Sequence, residues 1–284
     1  MTGDGSLWYM KFADRYIANP KSAAMPTQSR TVKIWYQSFV DPGQQAAYFS
    51  DLTQALRGMV EQGVEFDIHG IVPPDVELHR LTEFRCARQV IRNAIAAQQQ
   101  GYDAFAIGHF QDGGLYEARA TVDIPVLGLG EAAMLYACML GQKIALVTIN
   151  PVFIPMHEEQ IQRYGLARRV VAIKALMTDP ALLVRAFTDG DTFQEVLRQF
   201  QDLVQPLVNE GVEVIIPAGG LPALLFARVK HFTVGNAIVL NCIAVLAKLT
   251  ETAVALNRLG GAGTSRAATF QKPSVKALQE FLDH

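Results

Sequence analysis

Short apolar runs rich in β-branched residues alternate with longer helical stretches, and the alternation occurs twice. Thr31–Ser38, Val64–His69, Tyr102–Phe110 and Ile124–Leu129 are the first four strand candidates. Helical stretches separate them, over Gln44–Gln62, Glu83–Gln100 and Leu115–Ala120. The series then starts again with Gln142–Thr148, Arg169–Leu176, Val212–Pro217 and Ala237–Asn241, with a helix over Phe193–Asn209. Gly101-Tyr-Asp and Gly211-Val-Glu are the same helix-stop, strand-start signal. Strands that alternate with helices pair in parallel through right-handed crossovers. The predicted fold is therefore α/β, with two pseudo-symmetric domains. Each has a small parallel sheet flanked by helices, and the active site lies in the cleft between them.

The predicted organisation is an N-terminal arm over 1–30, a first domain over 31–135 plus 243–284, and a second over 136–242. The arm carries Trp8, Tyr9, Phe12 and Tyr16, and such aromatics suit packing on a neighbouring subunit. A homo-oligomer is expected on that ground. The C-terminal segment reads as a loop over Gly260–Pro273, then a short helix over Ser274–Leu282 with Ser274 as N-cap.

Of 284 residues, 50% are hydrophobic and 18% charged, which supports a substantial core. The net charge of −2, without a Lys/Arg run, gives no electrostatic case for nucleic acid. Residues 1–30 lack the apolar run of a signal peptide. The most apolar later window, Ala237–Leu256, is interrupted by Asn241, Lys248 and Glu251, so a membrane partner is not expected. Cys86, Cys138 and Cys242 are odd in number and widely spaced, so a reducing cytoplasm fits better than a disulfide framework. HExxH and CxxC motifs are lacking, and Gly128-Leu-Gly130 has no third matching glycine. Neither a metal nor a dinucleotide cofactor is expected, and the partner is a small-molecule substrate.

Ligands of open α/β sheets bind beyond the carboxyl ends of the strands. There lie Gln37 and Ser38, His109 and Gln111 with Gly113 just beyond, Thr148 and Asn150, Gly219 and Gly220, and Asn241. His109 is the candidate catalyst, because an imidazole can give or take a proton near neutral pH. The others are candidate substrate-binding positions. Glu131 is expected to cap the helix that follows it, and Arg119 to be structural. His69 and His79 read as surface histidines.

The stretch Ile107-Gly-His-Phe-Gln-Asp-Gly-Gly-Leu-Tyr-Glu-Ala-Arg119, followed by Ile124-Pro-Val-Leu-Gly-Leu-Gly-Glu-Ala-Ala133, resembles the aspartate/glutamate/hydantoin racemase superfamily. It is most similar to the hydantoin racemase branch. Gly141–Thr148, Tyr164–Leu166, Glu213–Gly219 and Ala237–Glu251 share the likeness, which runs from about Thr31 to Glu251. The resemblance implies a site between two α/β domains, where one cysteine on each side of the substrate's α-carbon exchanges a proton. It also implies that Gln37, Ser38, Thr148 and Asn150 hold carboxylate or amide groups. Here the first cysteine position is His109 and the second is Gly219, and Asp-Pro-Gly becomes Asp112-Gly113-Gly114. A two-thiol racemase is therefore not expected. The expected enzyme is an isomerase or lyase performing one-sided acid/base chemistry on a small carboxylate, amide or cyclic imide. Backbone N–H groups near Gly219 and Gly113 would stabilise negative charge on the substrate. The alternatives are a hydrolase of a cyclic amide using His109, or a non-catalytic binding protein on the same scaffold.

Overall fold

The computed structural model describes residues 31–260 and 263–284. The arm expected over residues 1–30 lies outside them. The first half runs β1 (Val32–Gln37), α1 (Ala46–Met59), β2 (Val64–His69), α2 (Arg80–Gln99), β3 (Ala104–Ile107), α3 (Leu115–Thr121), β4 (Val126–Gly128) and α4 (Leu129–Leu140). The second runs β5 (Ile144–Thr148), α5 (Ile154–Arg163), β6 (Val170–Ala175), α6 (Pro180–Arg185), α7 (Gly190–Asn209), β7 (Val214–Ala218), α8 (Gly220–Phe226), β8 (Thr233–Val234) and β9 (Ala237–Val239). Two further helices, α9 (Cys242–Arg258) and α10 (Val275–Asp283), complete the described chain.

The first sheet has the order β2-β1-β3-β4 and the second β6-β5-β7-β9-β8. The repeat read from the sequence is thus a repeat of topology. Four strands in each half follow the same order and pair in parallel, and β8 adds an antiparallel edge to β9. The expected strands are found, with ends that differ. Tyr102–Phe110 is strand only over Ala104–Ile107, because Gly108, His109 and Phe110 already belong to the turn beyond the sheet. β8 was not anticipated, since two residues are too few to show a period.

The first sheet is sandwiched between two helical layers, and its alternation shows how. Ile34 and Tyr36 of β1, with Ala104 and Ala106 of β3, share a core with Tyr48, Leu52 and Leu56 of α1. Trp35, Phe105 and Ile107 point the other way, to Cys86, Val90 and Ala94 of α2. Successive side chains of a strand face opposite sides, so a central strand needs apolar residues at nearly every position. The first of these cores runs on into the second half through α4, α8 and α9. The α9 helix packs on α1, β3 and β4 of the first half and on α4 and α8. On the other face, α10 covers α2, where Arg92 Nη2 donates to the Phe281 carbonyl at 3.0 Å. Ser274 caps α10, accepting from Ala277 N at 3.1 Å as its position suggested.

Candidate active site

The turn after β3 is shaped by what it must pass. A Cβ at Gly108 would come within 2.2 Å of the buried Tyr36 ring, so only glycine lets the chain leave the sheet here. The next residue, His109, is thereby set at the strand's carboxyl end. Its ring stacks on Phe39, with centroids 3.9 Å apart and planes 4° from parallel. Its Nε2 lies 3.0 and 2.9 Å from the two carboxylate oxygens of Glu83, in the first turn of α2. Both side chains are largely buried, at 17% exposure for His109 and 10% for Glu83. A carboxylate only accepts, so His109 Nε2 carries the proton of that contact. Nδ1 has no hydrogen-bond partner among the described residues, so the neutral ring presents its lone pair there.

A cavity of about 100 Å³ opens beside this pair. From the first half it is lined by His109 and Gln111, by Phe39 and Val40 after β1, by Tyr48, and by Asp75, Leu78 and Glu83. From the second half come Ile149, Phe153 and the run Ala218-Gly-Gly-Leu221 after β7. Carboxyl ends of strands from both sheets therefore meet at one pocket. Its charged side chains, among the described residues, are acidic apart from His109, and no Lys or Arg lines it. Asp75 and Gln111, which line it, each keep a buried oxygen (Oδ2 and Oε1) without a hydrogen-bond partner. Burial pushes Glu83 up, but His109, joined by Asp75 and His157, pulls it down further, and Glu83 is held below the usual carboxylate range. Burial, reinforced by Glu83, raises Asp75 instead.

Among the positions picked out from the sequence, His109, Gln111, Gly219 and Gly220 come together here. The remaining ones are not among the lining residues, and most are occupied. Gln37 Oε1 accepts from Trp35 Nε1 (3.0 Å) and Asn93 Nδ2 (2.7 Å), while Nε2 donates to the Ser38 and Gly70 carbonyls. That residue ties the end of β1 to the loop after β2. Ser38 is buried and bonds Tyr48 and the Val40 amide. Gly113 faces Ala87 of α2 and Phe39. Asn150 caps the turn that leads into α5, and Asn241 caps α9. Thr148 is buried at the end of β5, its hydroxyl without a partner. The Gly219 N–H is already given to the Pro217 carbonyl at 3.1 Å, so it is not free for a substrate oxyanion.

The helix capping expected of Glu131 falls to Asp112 instead. Its carboxylate accepts from the Gly130 and Glu131 amides at 3.0 and 2.7 Å, at the start of α4. Glu131 itself pairs with Arg119 through both oxygens, and Arg119 also donates to the Val126 carbonyl, the structural role expected of it. His79 caps α2 by accepting from Leu81 N. His69 stacks on Trp35 at 3.4 Å between centroids. The cysteines stay away from the pocket lining: Cys86 and Cys242 are buried, and Cys138 donates to a carbonyl within α4.

Sequence reasoning missed Glu83 and Asp75. An acidic residue in the first turn of a helix looks like ordinary dipole complementarity. The one available signal was that Glu83 lies on the same helical face as Cys86 and Val90, which are core residues.

Two like α/β halves that close on a histidine–carboxylate pocket define an enzyme scaffold of the racemase type. Residues 38–250 match the family model described as Asp/Glu/Hydantoin racemase, and the chain belongs to that family. It is 30% identical over 196 residues to the hydantoin racemase of Pseudomonas sp. (strain NS671), covering 68% of this chain and 74% of that protein. The hydantoin racemase of Rhizobium meliloti is 25% identical over 63% of this chain and 70% of its own. Among solved structures, the allantoin racemase of Klebsiella pneumoniae superposes with a TM-score of 0.69 at 24% identity, covering 86% of this chain and 94% of that one. Glutamate racemase from Bacillus anthracis shares the fold at a TM-score of 0.57 and 14% identity, over 90% and 95%.

Proposed function

We propose that this chain is an isomerase or lyase of the family that moves a proton from one side of its substrate, with His109 as the acid/base. The observation that carries the reading is the His109–Glu83 contact facing a glycine. One wall of the pocket offers an imidazole whose Nε2–H is held by a carboxylate. Across it, at the family's second cysteine position, Gly219 has no side chain. Removal and return on opposite faces needs a base on each side, and among the described residues Gly219 supplies none on its side. The proton either returns to the same face or is delivered to another atom of the substrate.

The substrate is a small amide or cyclic imide rather than a free carboxylate. A carboxylate would meet the Glu83 carboxylate in a pocket that no Lys or Arg lines. A ring N–H would instead find an acceptor in Gln111, whose Oε1 has no hydrogen-bond partner. The hydantoin and allantoin in the relatives' names are molecules of this kind.

The neutral His109 takes the proton of a carbon next to a carbonyl at Nδ1. Glu83 stabilises the imidazolium that results, as the carboxylate of a catalytic triad does. Charge that develops on the carbonyl oxygen is met by the first amides of α8, at Gly220 and Leu221, which lack intrahelical acceptors.

Incubation with cyclic imides and amides in deuterated water tests this. Deuterium is expected at the carbon beside the carbonyl, and His109→Asn slows its entry by about 10²-fold or more in a folded protein. Undiminished turnover in that variant sinks the mechanism. Ring opening with consumption of water would mean a hydrolase. Ligand-induced thermal stabilisation without any turnover would mean a binding protein.

A further inference from the structure

The loop between β2 and α2 brings a second carboxyl to the His109–Glu83 pair. This loop is pinned at several points. Arg85 Nη1 donates to the Pro73 carbonyl at 2.8 Å and Nη2 to the Pro74 carbonyl at 3.2 Å. His79 caps α2 at the loop's end. Asp75 Oδ1 accepts from Leu78 N at 2.9 Å. So held, the Asp75 carboxyl lies within hydrogen-bond reach of Glu83, and its buried Oδ2 has no donor to accept from.

Two carboxyls in such contact cannot both ionise cheaply; they share one proton. The surroundings decide where it rests. Glu83 faces the N–H of His109 on both oxygens, a contact that needs a carboxylate. Asp75 accepts from one amide on Oδ1 and has the Thr82 hydroxyl beside it, while Oδ2 has no partner, and burial with the neighbouring Glu83 carboxylate outweighs both donors. An orphaned buried carboxylate oxygen is costly, whereas a protonated one becomes a donor with an acceptor beside it.

We propose that Asp75 is a positioning residue that stands in the site as a neutral carboxylic acid, donating its O–H to Glu83 and so fixing Glu83 as the acceptor of His109. This rests on the one-sided reading of the site but adds a third member to it. The two carboxyls of the relay Asp75–Glu83–His109 then carry a single negative charge between them at neutral pH. The opposite shifts of the two carboxyls agree with that assignment. Glu83, Arg85 and Cys86 of α2, His109 after β3 and His157 of α5 are the titratable or charged groups around the pair. Of these only Arg85 is a fixed cation, and its guanidinium is occupied by the two proline carbonyls. Ionisation of Asp75 at alkaline pH therefore sets two uncompensated anions together and loosens the hold of Glu83 on His109.

The infrared spectrum of the full chain reads the proton directly. The wild-type protein at neutral pH should show the carbonyl stretch of a protonated carboxyl, shifted in deuterated water, that a difference spectrum assigns to Asp75 by its loss in Asp75→Asn. Nitrogen NMR of the His109 ring should show the Nε2–H tautomer in the wild type and in Asp75→Asn, whose amide still donates to Glu83. Asp75→Ala, where its melting matches the wild type, should lose that preference. In turnover, Asp75→Asn should stay within about 10-fold of the wild type and lose its alkaline decline. An Asp75→Asn spectrum identical to wild type overturns the proposal, as does a His109 tautomer unmoved in Asp75→Ala. Both readouts need no substrate. A chain that turns over none of the imides would count against the proposed reaction while leaving the relay as measured.

Discussion

At the scale of single residues, the proposed reaction turns on His109, its partner Glu83 and the glycine at position 219. Glu83→Gln keeps the shape of the His109 partner but removes its charge. It is expected to lower turnover by about 10- to 100-fold, the worth of one charge-assisted hydrogen bond to a cation. Steady-state kinetics beside a melting curve checks this, since a fold defect would move both. The opposite wall can be tested by adding what it lacks. Gly219 has an extended backbone (φ 165°) open to any residue, and a Cβ there would meet Pro222 at 3.1 Å, a tight contact that a small shift relieves. His109→Cys alone should bring no exchange on two faces, because one thiol still faces a glycine. His109→Cys with Gly219→Cys should bring slow racemisation of a cyclic imide, followed by polarimetry. The native cysteines contribute none of this. Burial pushes Cys86 up to about 11 and Cys242 further, so neither is a ready thiolate. Replacing Cys86, Cys138 and Cys242 together by Ala should leave turnover within about 10-fold of the wild type. Abolished turnover in a folded triple variant would mean that one of these cysteines, and not His109, moves the proton.

At the scale of elements, Asp112 holds the two halves in register. It sits after β3 with a left-handed backbone (φ 55°), a conformation that Asp tolerates better than most residues. Besides the two amides of α4, its carboxylate accepts from Gln160 Nε2 at 3.0 Å and Tyr164 Oη at 2.6 Å, on α5 and just past its end. Burial pushes Asp112 up to about 6 against the four hydrogen bonds that hold it ionised. Asp112→Ala leaves four donors stranded and is expected to cost about 3–5 kcal/mol, measured by urea unfolding. A cost near that of a surface substitution would show that the α4 cap does not bear on the fold.

At the scale of the whole molecule, two buried groups give stability opposite dependences on pH. Gln160 Nε2 donates to Asp112 and to the Phe110 carbonyl, so Oε1 faces His157 Nδ1 at 3.2 Å as acceptor. His157 is thus a neutral imidazole with its proton on Nδ1, and burial lowers it to about 4. The unfolded chain takes up that proton near 6.5, so stability falls as pH drops from there towards 4. Asp112 works the other way, its folded form binding a proton between about 4 and 6 that the unfolded chain releases. His157→Gln removes the first dependence and leaves the second. The loss of unfolding free energy from about pH 7 to about pH 4.5 should shrink by about 2 kcal/mol relative to the wild type. An unchanged difference would show that His157 is already charged in the folded protein. Among the described residues, no helix is long and apolar enough to cross a membrane.

The sequence by itself determined the parts that depend on local periodicity and on stop signals. Alternating apolar runs marked eight strands in two like series, and their parallel order followed from the helical stretches read between them, three in the first series and one in the second. It also placed His109 and Gly219 beyond strand ends, where open sheets bind ligands, and both line the same pocket. The tertiary structure alone decided which polar side chains remain free to act. Gln37 and Asn241 look available in a linear chain, but one is consumed by Trp35 and Asn93 and the other by the first turn of α9. Glu83 and Asp75 look like a helix-start acid and a loop acid, yet folding sets Glu83 against His109 and Asp75 against Glu83. Backbone periodicity is written in neighbours along the chain, so it can be read there. Whether a polar group is spent or left over also depends on partners tens of residues away, as Asn93 is from Gln37 and Glu83 from His109, and those meet only when strands and helices have packed.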